Sequence, residues 1–243
     1  MDVEKTVNHV AQWIKKQVKN SKGKGTVFGL SGGLDSAVIA ALCRKVFSAE
    51  ECLGVYMPCF NSDAERQDAL FLANILDIIW FEINLEDTFL SLEEALKGVK
   101  VERNRQLAKA NIKPRLRMAT LYYLAAVKGF RVVGTSNRSE MEVGYFTKYG
   151  DGAADLLPLA DFLKTEVREM AFFLGVPEQI INKKPSGGLW EGQTDEGELG
   201  FSYDQLDQYL EKGIAEAPVE ERIEQLIQGS QHKKKMPPKY SRE

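Results

Sequence analysis

Apolar and polar positions along this chain change period repeatedly, and the changes predict its elements. Val3, Val7, Val10, Ile14 and Val18 recur at helical spacing among Lys, Gln and Asn, which predicts an amphipathic surface helix at the N-terminus. Short apolar runs rich in β-branched and aromatic residues follow at 26–30, 52–57, 78–84 and 131–134, and these predict strands. Between them the period returns to helical near 36–47, 63–76, 85–97 and 103–128. Such alternation predicts an α/β fold, Rossmann-like and three-layered, with a central parallel β-sheet flanked by helices. Ligands in such sheets bind beyond the carboxyl ends of the strands.

Later segments are more irregular. Asn111 is the expected N-cap of a helix carrying Pro114 in its first turn, where a missing N–H costs little. The stretch 137–158 is long, polar and glycine-bearing, which predicts a functional loop. A helix is expected at 161–174, a second glycine-rich polar stretch at 183–200, and helices at 202–213 and 218–229. There is no internal repeat and no marked linker, so residues 1–243 are expected to form a single domain.

Composition narrows the classes. The 243 residues are 44% hydrophobic and 28% charged, values of an ordinary globular protein. The net charge of −3 gives no electrostatic case for binding nucleic acid. No apolar run is long enough to span a membrane, and the N-terminus does not read as a signal peptide. Three cysteines, Cys43, Cys52 and Cys59, show no C-x-x-C and no zinc spacing, and a cytoplasmic location is expected.

The candidate chemistry begins at residues 31–36, Ser-Gly-Gly-Leu-Asp-Ser, between the first strand and the helix after it. A glycine-rich turn at that place exposes backbone N–H groups beside the positive end of a helix, a ready site for phosphate. No G-K-[ST] follows, the glycines have the wrong spacing for a dinucleotide turn, and there is no G-x-S-x-G. Asp35 would repel phosphate unless Mg²⁺ lay between them; its plainer role would be to cap the helix.

SGGLDS resembles the signature of the ATP pyrophosphatases, which hold pyrophosphate with this loop and split ATP between its α and β phosphates. Four further blocks resemble one branch of that group, the NAD synthetase family: GTSNRSE at 134–140, GYFTKYGDGAADLLPL at 144–159, KTEV at 164–167, and KPS followed by GLWEGQTDEGELGFSYDQLD at 188–207. The resemblance covers nearly the whole chain. It implies a ligase that amidates deamido-NAD to NAD. The pyridine carboxylate would attack the α-phosphorus of ATP and release pyrophosphate. Ammonia would then displace AMP from the adenylated acid.

The resemblance also implies roles for particular residues. Gly29, Leu30, Ser31, Gly32, Gly33, Leu34, Asp35, Ser36, Thr135, Lys164 and Ser186 would contact ATP. Asp35 and Glu140 would hold Mg²⁺. Arg115, Lys148, Asp155, His232 and Lys233 would contact deamido-NAD, and Arg117 is expected to be structural. No side chain is expected to act as a nucleophile; catalysis would rest on positioning and charge, with Asp35 and Lys164 most critical. A homodimer is implied, with active sites at its interface and the N-terminal and 103–128 helices supplying contact surface.

The chain departs from the family pattern in two places. Ser186-Gly187-Gly188-Leu189 stands where relatives read Ser/Thr-Ala-Asp-Leu, so an acid is lost and greater mobility is expected. His232-Lys233-Lys234 stands where His-Lys-Arg is usual, which keeps charge but loses a guanidinium fork. No glutaminase domain is expected and no cysteine lies in a nucleophile context, so free ammonia is the expected nitrogen source. Two rivals remain: a tRNA-modifying ATP pyrophosphatase, which would want a basic face or a reactive Cys pair, and a non-catalytic nucleotide-binding module, which would not need the acids paired with Lys164.

Overall fold

The computed structural model describes residues 1–99, 105–188, 190 and 192–242. Four strands, β1 (Thr26–Gly29), β2 (Cys52–Tyr56), β3 (Ile79–Glu82) and β4 (Arg131–Val132), form one sheet in the order β3-β2-β1-β4. Every pairing is parallel, with Thr26 opposite both Cys52 and Arg131, and Leu53 opposite Ile79. A bridge between Val133 and Leu156 continues the β4 edge.

Strand alternation builds two cores. Phe28, Cys52 and Tyr56 face a core shared with α1 (Val3–Asn20), α2 (Leu34–Arg44), α3 (Asp63–Ile75), α8 (Lys164–Phe173) and α9 (Glu178–Ile181). Val27, Leu53, Val55 and Val132 face the other way, onto Phe89 of α4 (Glu86–Ala95) and Ala125 of α6 (Ile112–Lys128). This is the expected three-layer arrangement. α2 lies in the middle of the first core, and its run Ser36–Cys43 is buried on every side. α1 buries Val7, Ala11, Ile14 and Val18 as its spacing required, and Asp2 caps it by accepting from the Lys5 amide. A third cluster, Val143, Leu199, Phe201, Tyr203, Leu206 and Ile223, joins α7 (Arg138–Val143), α10 (Asp195–Leu199), α11 (Tyr203–Lys212) and α12 (Ala217–Lys234).

Several boundaries differ from the sequence expectation. The 103–128 helix is interrupted: α5 (Arg105–Ala110) ends where α6 begins, and residues 103 and 104 lie outside the described residues. Pro114 has no N–H to give Ala110, four residues back. Asn111 holds the N-cap position of α6 as expected, but its backbone is helical and its side chain makes no cap; Oδ1 accepts from the Thr147 hydroxyl at 2.7 Å instead. The 137–158 stretch is not all loop, since α7 opens with an Asn137–Glu140 capping box. α8 starts at Lys164, later than expected. α12 runs through His232-Lys233-Lys234, past the expected end at 229, because its last turn is anchored on α7 and the chain beyond it.

Candidate active site

The glycine-rich loop leaves β1 at its carboxyl end and enters α2, as expected. Gly32 has φ +70°, and a Cβ there would lie 2.8 Å from the Asp68 Cβ, so only glycine fits. The Ser31 and Ser36 hydroxyls are 2.9 Å apart, and Ser36 Oγ donates to the Gly33 carbonyl at 2.9 Å. The N-cap of α2 is Gly33, with no side chain capping it. A helix start without a side-chain cap offers its first-turn amides to a ligand, although the Gly33 amide itself donates to Ser31 Oγ at 3.2 Å. Asp35 does not cap the helix. Its carboxylate turns away, toward α7 and α8.

There it meets the central constellation. Asn137 Nδ2 donates to Asp35 Oδ1 at 2.9 Å, and Lys164 Nζ donates to Asp35 Oδ2 at 2.6 Å and to Glu140 Oε1 at 3.0 Å. Each side chain is held from behind. Asn137 Oδ1 accepts the Glu140 amide at 3.0 Å, so the residue that orients Asp35 also starts α7. Glu140 spends Oε2 on the Asn137 amide at 3.3 Å and leaves Oε1 for Lys164. The Lys164 amide donates to Ser139 Oγ at 3.0 Å, and Thr165 N donates to Asp207 Oδ2 at 2.8 Å. The Ser139 hydroxyl donates to the other Asp207 oxygen, so one buried carboxylate on α11 ties α7 to the start of α8.

Lys164 is only 3% exposed. Burial alone would pull its ammonium pKa down; Asp35 and Glu140 outweigh this and hold it above the ordinary lysine value. Burial pushes the Glu140 carboxyl up, with Lys164 opposing. Behind the trio, Tyr203 donates to Asp195 Oδ2 at 3.1 Å and reaches Glu140 Oε1 at 3.4 Å. Tyr145 donates to Asp195 Oδ1 at 3.2 Å and also meets Glu198. Burial raises Asp195 and both tyrosines, so the two hydroxyls stay protonated donors. The sequence pattern assigns Asp195 and Tyr203 no role, because only the fold brings α10 and α11 behind Glu140.

These groups border a cavity of about 680 Å³. Of the expected ATP contacts, Gly29, Leu30, Ser31, Gly33, Leu34, Asp35, Ser36, Thr135, Lys164 and Ser186 line it; Gly32 is turned toward α3 instead. Glu140 and Lys233 line it too. Arg115, Lys148, Asp155 and His232 do not line it in the single chain. Arg115 donates to the Lys148 carbonyl, Lys148 Nζ to the His232 carbonyl at 2.6 Å, and Asp155 Oδ2 accepts the Val132 amide at 2.8 Å. Lys233 Nζ donates to the Gly144 and Phe146 carbonyls at 2.7 and 2.9 Å.

Arg117, expected to be structural, also borders the cavity, and it braces one wall. Its Nε donates to the Met57 carbonyl at 3.1 Å and its Nη2 to Asn61 Oδ1 at 3.0 Å. Gly188 sits against that wall with φ +59°; a Cβ on it would lie 3.3 Å from Asn61 Nδ2 and 3.4 Å from Glu65 Oε1. The glycine at this place makes a left-handed turn beside a carboxylate. The Lys183–Asp68 ion pair at 2.7 Å fastens the same segment to α3.

The NAD synthase family profile matches residues 6–237. The chain belongs to the NAD synthase family. It is 47% identical to the NH(3)-dependent NAD(+) synthetase of Carboxydothermus hydrogenoformans, over 96% of each chain. Among solved structures it superposes on the NMN synthetase of Francisella tularensis with a TM-score of 0.93, at 35% identity over 99% of each chain. The NH3-dependent NAD synthetase of Campylobacter jejuni gives a TM-score of 0.81 at 29% identity, covering 99% of this chain and 100% of that one. Among the described residues, no helix is long and apolar enough to cross a membrane.

Proposed function

We propose that this NAD synthase family member amidates deamido-NAD to NAD with free ammonia and ATP, releasing AMP and pyrophosphate. A carboxylate is a poor acceptor for an amine, because its leaving group would be oxide. Transfer of AMP to the pyridine carboxylate supplies a better leaving group. That transfer brings two anions together, so the site must offer cations and donors aimed at the charge that develops. The observation that carries the proposal is Lys164, buried beside a glycine-rich phosphate cradle and held by Asp35 and Glu140. The α2 amides and Ser31 would hold the departing pyrophosphate. Lys164 would neutralise it.

Asp35 and Glu140 are the candidate ligands for Mg²⁺. Both already present an oxygen to one cation, the lysine ammonium, at 2.6 and 3.0 Å, and hard carboxylate oxygens suit this ion. Two carboxylates would leave the rest of the shell of such an ion to phosphate and water. When bound, Mg²⁺ would offset charge on the phosphates.

Arg115, Lys148, Asp155 and His232 would read the dinucleotide across a homodimer interface, with Lys233 beside them. Arg115, Asp155 and His232 are exposed in the single chain and so are open to a second subunit. The relatives named NH(3)-dependent support ammonia as the nitrogen source. Three buried thiols, all free, support a reducing compartment, the cytoplasm. A mononucleotide acceptor has one observation in its favour, the close superposition on an NMN synthetase.

The test is direct. Purified protein is given ATP, Mg²⁺ and either deamido-NAD or the corresponding mononucleotide acid, with ammonium, with glutamine or with neither. NAD, AMP and pyrophosphate formed in equal amounts with ammonium, and not with glutamine, is the expected result. Faster amidation of the mononucleotide would move the assignment to that acceptor. No amide product from either acid would overturn the proposal.

A further inference from the structure

The position of Lys164 has a second meaning. Its Nζ lies 2.6 Å from Asp35 Oδ2 and 3.0 Å from Glu140 Oε1, so it occupies the gap that two carboxylate ligands of a divalent ion would share. An ammonium and a divalent cation cannot fill one gap together, because like charges at such separation repel strongly wherever water is scarce. We propose that Lys164 is a built-in competitor for the divalent-cation site, seated between Asp35 and Glu140 until an ion displaces it toward the phosphate cradle. This rests on the assignment of those two carboxylates as the metal pair.

The side chain suits the task. Lysine carries a compact point charge on a flexible four-carbon stem, so its ammonium can move while its Cα stays fixed. The Cα is well fixed: the Lys164 amide donates to Ser139 and the next amide to Asp207. The Tyr203 ring, whose centroid is 4.8 Å from Nζ, backs the ammonium from behind the trio, while Lys164 itself borders the cavity that holds the cradle. The opposite groups stay behind. Asp35 keeps its hydrogen bond from Asn137, and Glu140 keeps its bond to the Asn137 amide, so both remain aimed at the vacated gap. The metal-free pair is thereby spared bare carboxylate repulsion. The lysine reaches the phosphates only once an ion has taken its place.

The test uses Mn²⁺ alone, without nucleotide, followed by electron paramagnetic resonance or calorimetry. The full-length wild type is compared with Lys164→Met and with Lys164→Met/Asp35→Asn. Removing the competitor is expected to tighten Mn²⁺ binding by about tenfold or more, and the added Asn to abolish the gain. Equal or weaker binding by a cooperatively melting Lys164→Met would overturn the proposal. A second measurement does not depend on that variant folding. Wild-type protein is acetylated briefly with and without saturating Mn²⁺, and labelling of Lys164 is read by mass spectrometry. Mn²⁺ is expected to raise labelling at Lys164 severalfold; no change would overturn the displacement. The outcomes separate the two ideas: an ion bound equally well by wild type and variant, with NAD still formed by the wild type, removes only the competitor role. Absence of Mn²⁺ binding to either protein, both alone and with a non-hydrolysable ATP analogue, removes the metal pair as well.

Discussion

The Asp207 carboxylate on α11 accepts the Thr165 amide at the start of α8, at 2.8 Å, while its other oxygen takes the Ser139 hydroxyl of α7. Lys164 and Glu140, which must face each other, are thus indexed to one buried acid from a third helix. Asp207→Ala leaves a buried amide and hydroxyl unpaired and is expected to cost roughly 2–4 kcal/mol in urea unfolding. It should also lower kcat more than it raises the KM for ATP, with Asp207→Asn recovering part of both. A variant with lowered stability and unchanged kcat would show that the tie is only structural.

Asp35→Asn removes the charge that pairs with Lys164 and keeps the shape. Pyrophosphate release is expected to fall by roughly a hundredfold or more. The near-ultraviolet circular dichroism spectrum should be retained. Unaltered release would remove Asp35 from the phosphate chemistry.

Arg115 and Arg117 lie two residues apart with opposite surroundings. Arg117→Ala strips the Met57 carbonyl of its side-chain donor, leaves Asn61 Oδ1 with the Cys59 amide alone, and is expected to cost roughly 1–3 kcal/mol. Arg115 is exposed, and its replacement by Ala should change stability by no more than about 0.5 kcal/mol. If it reads the dinucleotide, the KM for deamido-NAD rises while that for ATP holds. Steady-state kinetics with each substrate varied in turn separates the two arginines.

Gly144 closes α7 at φ +66°, and a Cβ there would lie 2.0 Å from the Ser230 Cβ on α12. Gly144→Ala adds left-handed strain of roughly 1–2 kcal/mol to that clash. It is expected to undock the end of α12, which hydrogen exchange of the 217–234 amides would detect. Native-like protection throughout α12 would count against it.

Asp195 is pushed up chiefly by burial. An acid that binds its proton more tightly folded than unfolded lends stability at low pH, and that contribution is lost as pH rises through its folded pKa. Wild-type unfolding free energy should therefore decline with rising pH above the ordinary carboxylate range more than that of Asp195→Asn. Parallel pH profiles for the two proteins would contradict this.

The parallel sheet, the N-terminal helix and the phosphate loop were legible because each has a local signal: β-branched runs, a helical apolar stripe, glycines before a helix. The break at Asn111 was not, because Pro114 serves a first turn or an interruption equally well, and the Thr147 hydroxyl that claims the Asn side chain lies 36 residues away. α7 carried a readable Asn137–Glu140 capping signal that its glycine-rich surroundings obscured. The Asp35 cap was a fair local expectation; Asn137 and Lys164, more than 100 residues downstream, decide otherwise. Asp195, Tyr203 and Asp207 act through contacts that no spacing rule connects to Glu140 or Lys164.

α12 supplies the far wall of the cavity and is pinned there by Lys233 on the Gly144 and Phe146 carbonyls. The phosphate loop, at the opposite end of the chain, leaves the ribosome roughly 10–40 s earlier at ordinary elongation rates. A nascent chain can thus build its cradle, and later its carboxylate–lysine trio, while the chamber around them still stands open to water. The pin arrives with the last turn of α12, so a chain stalled or clipped ahead of residue 233 has its charged groups and most of the far wall but not the lysine that fastens that wall in place.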